Sequence, residues 1–205
     1  MSSSRCSYQH WIKAFGEFSA PFRELYELYS TPKRPYHNLN HINHCLLLFD
    51  HTRRLFKNAP EAEAALWMHD VIYDISRHDN ELKSAQWAVK TLSSMKFPAE
   101  FCDRVRRFIE ATAGHHAFDS DSALLLDIDL SIFASGSENY RQYSEAIRGE
   151  YSFVPDSIYR QGRIKVLQNY LSRSNIYQSG HFQDIFEDKA RNNILFEIEL
   201  LNEAN

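Results

Sequence analysis

The feature that most constrains this chain is its apolar spacing. Trp11, Phe15, Phe18, Phe22, Leu25 and Leu28 recur at steps of three and four, the repeat of a helix with one buried face. No segment alternates apolar and polar residues between hairpin turns, and glycine occurs only 6 times, so strands joined by tight turns are not expected. The expected fold is all-α, with about eight or nine helices in one domain spanning residues 1–205.

Breakers and caps divide the chain. An N-terminal helix within 1–30 runs from Tyr8 to Tyr29, with Pro21 expected to bend or split it. The segment Thr31 to Pro35 is hostile to helix. A second helix spans about Asn38 to Lys57, with Ile42, Cys45, Leu48 and Leu55 towards the core. Pro60 suits the opening of a third helix, ending near His69-Asp70. Further helices are expected over Asn80–Ser94, from Pro98 to Ala113 with Gly114 as the stop, and around Leu124–Leu130, capped by Asp121 or Ser122. Three more follow at about Glu138–Gly149, Pro155–Ser172 and Phe182–Asn202, the last within a C-terminal segment 181–203.

Composition sets limits on function. A net charge of −4, without a basic run, disfavours nucleic acid as a partner. No window holds about 18 consecutive apolar residues, so no membrane span is expected. The polar N-terminus lacks a signal-peptide core. Three separated cysteines, Cys6, Cys45 and Cys102, read as free thiols in a reducing compartment, and the expected location is the cytoplasm.

The histidines carry the chemistry. Eight of the ten fall between positions 37 and 116. Tyr36-His-Asn-Leu-Asn-His41 sets two histidines four apart at a helix start. Ala65-Leu-Trp-Met-His-Asp70 ends an apolar helix in an adjacent His-Asp pair. Leu124-Leu-Leu-Asp-Ile-Asp-Leu130 embeds two acids in an apolar run. Buried carboxylates need partners, and a metal ion would satisfy all three segments together. Imidazole with carboxylate is a ligand set for Zn, Mn, Fe, Mg or Co rather than for a cysteine-rich structural site. Asp127 and Asp129 face different sides of their helix, about 200° apart, and either could be the inward acid.

The order His, His-Asp, Asp resembles the HD superfamily of metal-dependent phosphohydrolases. It is closest to a group of uncharacterised bacterial predicted HD phosphohydrolases, through Tyr36–Ile42, His69–Asp74, Asn80–Ala85 and Asp127–Leu130. The similarity covers about residues 34–170, and Tyr36 to His41 is also similar to the matching stretch of the cyclic-nucleotide phosphodiesterases. The resemblance implies an HD-type helical core with His41, His69, Asp70 and Asp129 as metal ligands. It prefers Asp129 over Asp127, and gives Asp70 the further task of bridging two metals or orienting water. It gives His37 the protonation of the leaving oxygen. Asp74 stands where the phosphodiesterases carry a second histidine. His115 and His116 lie in the interval where dinuclear members carry two more ligands, but they are adjacent. One ion is therefore expected, with a second left open.

Glu81 is a candidate for supporting a metal-bound water, or with Asn80 for capping its helix. Lys83, Arg148 and Arg163 are candidate contacts for a substrate phosphate. The implied activity is hydrolysis of a phosphate ester or anhydride in a small phosphorylated molecule, a nucleotide among them. The competing readings are a di-iron oxygenase on the same core and a non-catalytic ligand-binding or regulatory module. Homo-oligomerisation is left open.

Overall fold

The helical period carries through. In the computed structural model, which describes residues 4–203, every regular element among those residues is helical. The ten α-helices, against the eight or nine expected, are α1 (Tyr8–Phe15), α2 (Ser19–Tyr29), α3 (Leu39–Thr52), α4 (Ala59–Met68), α5 (Asn80–Ser94), α6 (Ala99–Thr112), α7 (Ser120–Asp129), α8 (Ser137–Glu150), α9 (Asp156–Ser172) and α10 (Gly180–Glu203). None is long and apolar enough to cross a membrane. No disulfide joins the three cysteines, all of them buried.

The extra helix comes from the first segment. It breaks at Gly16 rather than at Pro21. Gly16 adopts φ 90° and ψ −174°, a region essentially restricted to glycine. Pro21 sits in the first turn of α2, where an N–H would have no intrahelical acceptor, and so costs that helix nothing. The second expected helix also stops early. α3 ends at Thr52, a 3₁₀ turn covers Arg53–Leu55, and Leu55 is exposed instead of facing the core. After α6 the left-handed residue is His115, at φ 50°, and not Gly114.

The chain forms two compact units, residues 1–128 and 129–205. In the first, α4 packs against α3, α5 and α6, and α5 lies along α6. α4 is buried almost all round, from Ala62 to Met68, which explains its lack of a polar face. The Trp67 ring meets Trp11 edge to face at 5.7 Å, an arrangement that aromatic quadrupoles favour.

The caps of this unit differ from expectation. Asp119 accepts from Ser122 N–H, while Ser122 Oγ accepts from the N–H groups of Phe118 and Asp119. Asp121, expected to cap its own helix, instead serves α4. Its carboxylate accepts from Lys57 N–H at 3.0 Å, Asn58 N–H at 2.7 Å and Asn58 Nδ2 at 2.9 Å.

In the second unit, α10 packs against α8, α9 and a 3₁₀ segment at Leu130–Ala134. Asn193 Nδ2 donates to the carbonyls of Phe133 and Ser135, and Tyr177 Oη donates to Leu130 O. These bonds fix the chain directly after Asp129. At the centre, Arg163 and Glu197 form a buried ion pair, Nε to Oε1 at 2.8 Å. Tyr140 and Ser144 also donate to Glu197, so the buried charge has its bonds satisfied.

Candidate metal centre

Three helix boundaries deliver the central side chains. His41 lies in the first turn of α3, which is capped by Asn38, whose side chain accepts from Asn40 N–H at 2.8 Å. His69 is the residue at which α4 ends, and Asp70 follows it. Asp129 closes α7, all but its last residue lying within the first unit. His41, His69 and Asp129 each offer a ligand atom, all within 4.8 Å of one another. Opposite ligands of an octahedral ion with bonds of ~2.1 Å stand about 4.2 Å apart, so this spacing suits one ion.

Asp70 adds a second carboxylate. His41 Nε2 and His69 Nε2 are 3.1 Å apart, and Asp70 Oδ2 lies 3.2 Å from His69 Nε2 and 3.7 Å from His41 Nε2. A circle through these three atoms has a radius of about 1.9 Å, so a point just off their plane is about 2.1 Å from all three, a normal metal–ligand length. The donor types fit a divalent ion, and the two histidines are shared by two sets of three: one with Asp129, within 4.8 Å throughout, and one with Asp70, which lies outside that first group.

The ring of His69 is oriented from behind. Its Nδ1 lies 3.1 Å from Leu66 O. A carbonyl can only accept, so Nδ1 carries the proton and the neutral ring turns the Nε2 lone pair to the centre, the usual support for a ligating histidine. Burial raises the Asp70 carboxyl, but when His69 is protonated its charge and its hydrogen bond, with His37 and His41 nearby, outweigh that burial and hold the carboxyl well below the usual carboxylate range.

The segment after His69 has no regular structure, yet every carbonyl from 70 to 74 has a donor. Arg34 donates to Asp70 O at 2.7 Å, Val71 O at 3.1 Å and Tyr73 O at 3.4 Å. Ser84 Oγ donates to Ile72 O and accepts from Ile72 N–H. Asn80 Nδ2 donates to Asp74 O, and Asn80 Oδ1 accepts from Asp74 N–H. Tyr29 Oη accepts from Asp70 N–H and donates to Trp67 O. The run Asn80–Ala85 thus pins the irregular stretch that follows the His-Asp pair, and Asn80 is not the cap of α5. Arg34, Tyr29 and Ser84 were not identified from the sequence, because their partners are backbone atoms.

The other expected site residues fall as follows. His37 is half-buried just before α3, stacked on Tyr73 at 4.2 Å with its ring 6.0 Å from that of His41. Asp127 is fully buried and outside the three-residue group. His115 and His116 are outside it too, the first half-buried and the second exposed. Asp74 is exposed, and its carboxylate is bonded to Ser76 N–H and Oγ. These bonds lower its pKa. Glu81 is half-buried in the first turn of α5, and Lys83 Nζ points to Gln86 Oε1 at 3.4 Å on the same helix.

Two of the arginines proposed for a phosphate are committed elsewhere. Arg163 is buried against Glu197 and Tyr143. Arg148 donates to Tyr151 O and Val154 O, pairs with Asp156 and covers the Tyr159 ring. Both guanidinium groups therefore bind the turn and core of their own unit rather than offering a free cation.

No family model, curated protein or solved structure matches the chain.

Proposed function

We propose that this chain is a metal-dependent phosphohydrolase that cleaves an ester or anhydride of a small phosphorylated molecule, nucleotides included. The observation that carries the reading is the pair of imidazole Nε2 atoms 3.1 Å apart, flanked by the carboxylates of Asp70 and Asp129. The resemblance of the ordered motifs to HD phosphohydrolases supports it.

His41, His69, Asp70 and Asp129 would hold one divalent ion of the Mn, Fe, Zn, Mg or Co class. Such an ion lowers the pKa of a water it binds and polarises a phosphoryl oxygen. The chain's own residues do the rest. Leu66 O holds the His69 tautomer, and Asp70 would orient the attacking water by accepting a hydrogen bond from it. His37, at the rim and braced by Tyr73, protonates the departing oxygen, a task worth about 10² to 10⁴ in rate. The reducing cytoplasm is the compartment this reading assumes, since the three buried thiols stay reduced there.

The test is metal analysis of protein prepared without chelators, followed by a panel of phosphatase, phosphodiesterase and nucleotide substrates. Stoichiometric metal with hydrolysis of one class is the expected result. Protein that takes up no divalent metal and hydrolyses nothing would end the proposal.

A further inference from the structure

The Asp70–Asp74 stretch presents its carbonyls to one buried guanidinium. Arg34 is 7% exposed, and it meets three acceptors from two nitrogens, Nη1 on Asp70 O and Nη2 on Val71 O and Tyr73 O. A guanidinium carries five N–H donors in a rigid fork, whereas an ammonium is a compact charge on a flexible stem. The contact nearest the metal group is also the shortest, Arg34 to Asp70 O at 2.7 Å. The two peptide groups that flank the Asp70 Cα are then both held, by Arg34 at the Asp70 carbonyl and by Tyr29 Oη at the Asp70 N–H. With both ends fixed, the side chain leaves the backbone in one direction, towards the two Nε2 atoms. The Arg34 guanidinium also lies 5.6 Å from the ring centroids of both Tyr29 and Tyr73, so the same side chain braces the ring against which His37 stacks.

We propose that Arg34 is the positioning residue of the metal group, acting through the peptide of Asp70 and the ring of Tyr73 and touching neither metal nor substrate. The inference rests on the metal reading above. Partners that orient metal ligands from behind typically contribute about 10- to 100-fold in metal affinity, and that is the effect expected here.

The experiment is Mn²⁺ affinity, measured by competition with a chromogenic chelator, on wild type, Arg34→Ala, Arg34→Lys and Asn80→Ala, with far-UV circular dichroism of each metal-free protein. Asn80→Ala releases the same stretch at its far end, at Asp74, and leaves the Asp70 peptide held. Arg34→Ala should bind Mn²⁺ about 10- to 100-fold more weakly, Arg34→Lys should fall between it and wild type, and Asn80→Ala should stay near wild type. Millimolar guanidinium should restore affinity to Arg34→Ala, and urea at the same concentration should not. If Arg34→Ala does not fold, Arg34→Lys carries the comparison. Wild-type affinity in the folded Arg34 variants, or an equal loss in Asn80→Ala, overturns the role of Arg34 and leaves the metal reading standing. A wild type that binds no Mn²⁺ overturns both.

Discussion

Asp121 offers a test of how α4, and with it His69, is held. Its side chain is 1% exposed and accepts three hydrogen bonds, two from the N–H groups that precede α4 and one from Asn58 Nδ2. A hydrogen bond to a charged group contributes about 1.5–3 kcal/mol net. Two such bonds to backbone donors, with the third offset by Asn58 turning to solvent, give about 3–6 kcal/mol for Asp121→Ala. An ordinary cap contributes about 1. Asp121→Asn keeps one acceptor oxygen and should lose about half as much.

The pH dependence has a definite sign. Burial raises the Asp121 pKa, but the bonds from Lys57 and Asn58 outweigh it and leave it lowered from 3.8. A carboxyl whose folded pKa is depressed stabilises above its unfolded pKa and loses that contribution as pH falls through the folded value. The gap between wild type and Asp121→Asn should therefore be full at neutral pH and shrink below about pH 4. Urea unfolding followed by tryptophan fluorescence is the assay. Trp11, Trp67 and Trp87 are the only tryptophans and all lie in the first unit. A loss under about 1 kcal/mol for Asp121→Ala, no more than an ordinary cap contributes, would refute the reasoning. So would a gap that persists undiminished in acid.

Three further outcomes follow from the same geometry. His37→Asn should lower turnover while leaving metal content unchanged, and a nitrophenyl ester, whose leaving oxygen needs no proton, should narrow the difference; metal analysis beside steady-state rates checks both. Glu197→Leu strands the buried Arg163 guanidinium and should cost about 3–5 kcal/mol, seen as a lower urea midpoint in circular dichroism, with Arg163→Met in the same chain recovering part of it. Gly16→Ala forces an alanine into a glycine-only conformation and brings Cβ to 3.4 Å from Phe18 Cε2. It should cost about 1–3 kcal/mol in the fluorescence-detected transition.

What was legible in the sequence follows from where the information sits. Helices show because apolar side chains repeat along one stripe. His41, His69 and Asp129 show because metal ligands must be particular residue types in order. Arg34, Tyr29 and Ser84 do not, because they bond to carbonyl and amide groups that every residue possesses. The break at Gly16 was hidden by Pro21, whose usual penalty vanishes in a first turn. Arg163, a candidate contact for a substrate phosphate by sequence, is buried in an ion pair instead, and a signal for that exists. Tyr159, Arg163 and Leu167 are spaced by four on α9, and Ala190, Ile194 and Glu197 share a stripe on α10. A charge in phase with the buried stripe on each of two helices, with opposite signs, is how an internal ion pair is written in a sequence.

The end of α4 has a consequence for protons. Continued by one more residue, the helix would give Leu66 O the amide hydrogen of Asp70, as its bonding pattern requires. Instead that amide goes to Tyr29 Oη, and Leu66 O takes the His69 Nδ1 hydrogen. A phenol some forty positions upstream thus swaps one acceptor for another and decides which nitrogen of an imidazole is left bare. Remove the hydroxyl, as in Tyr29→Phe, and the amide and the ring compete for a single carbonyl. The coordination chemistry of this chain is governed by where a spiral of peptide bonds is told to stop.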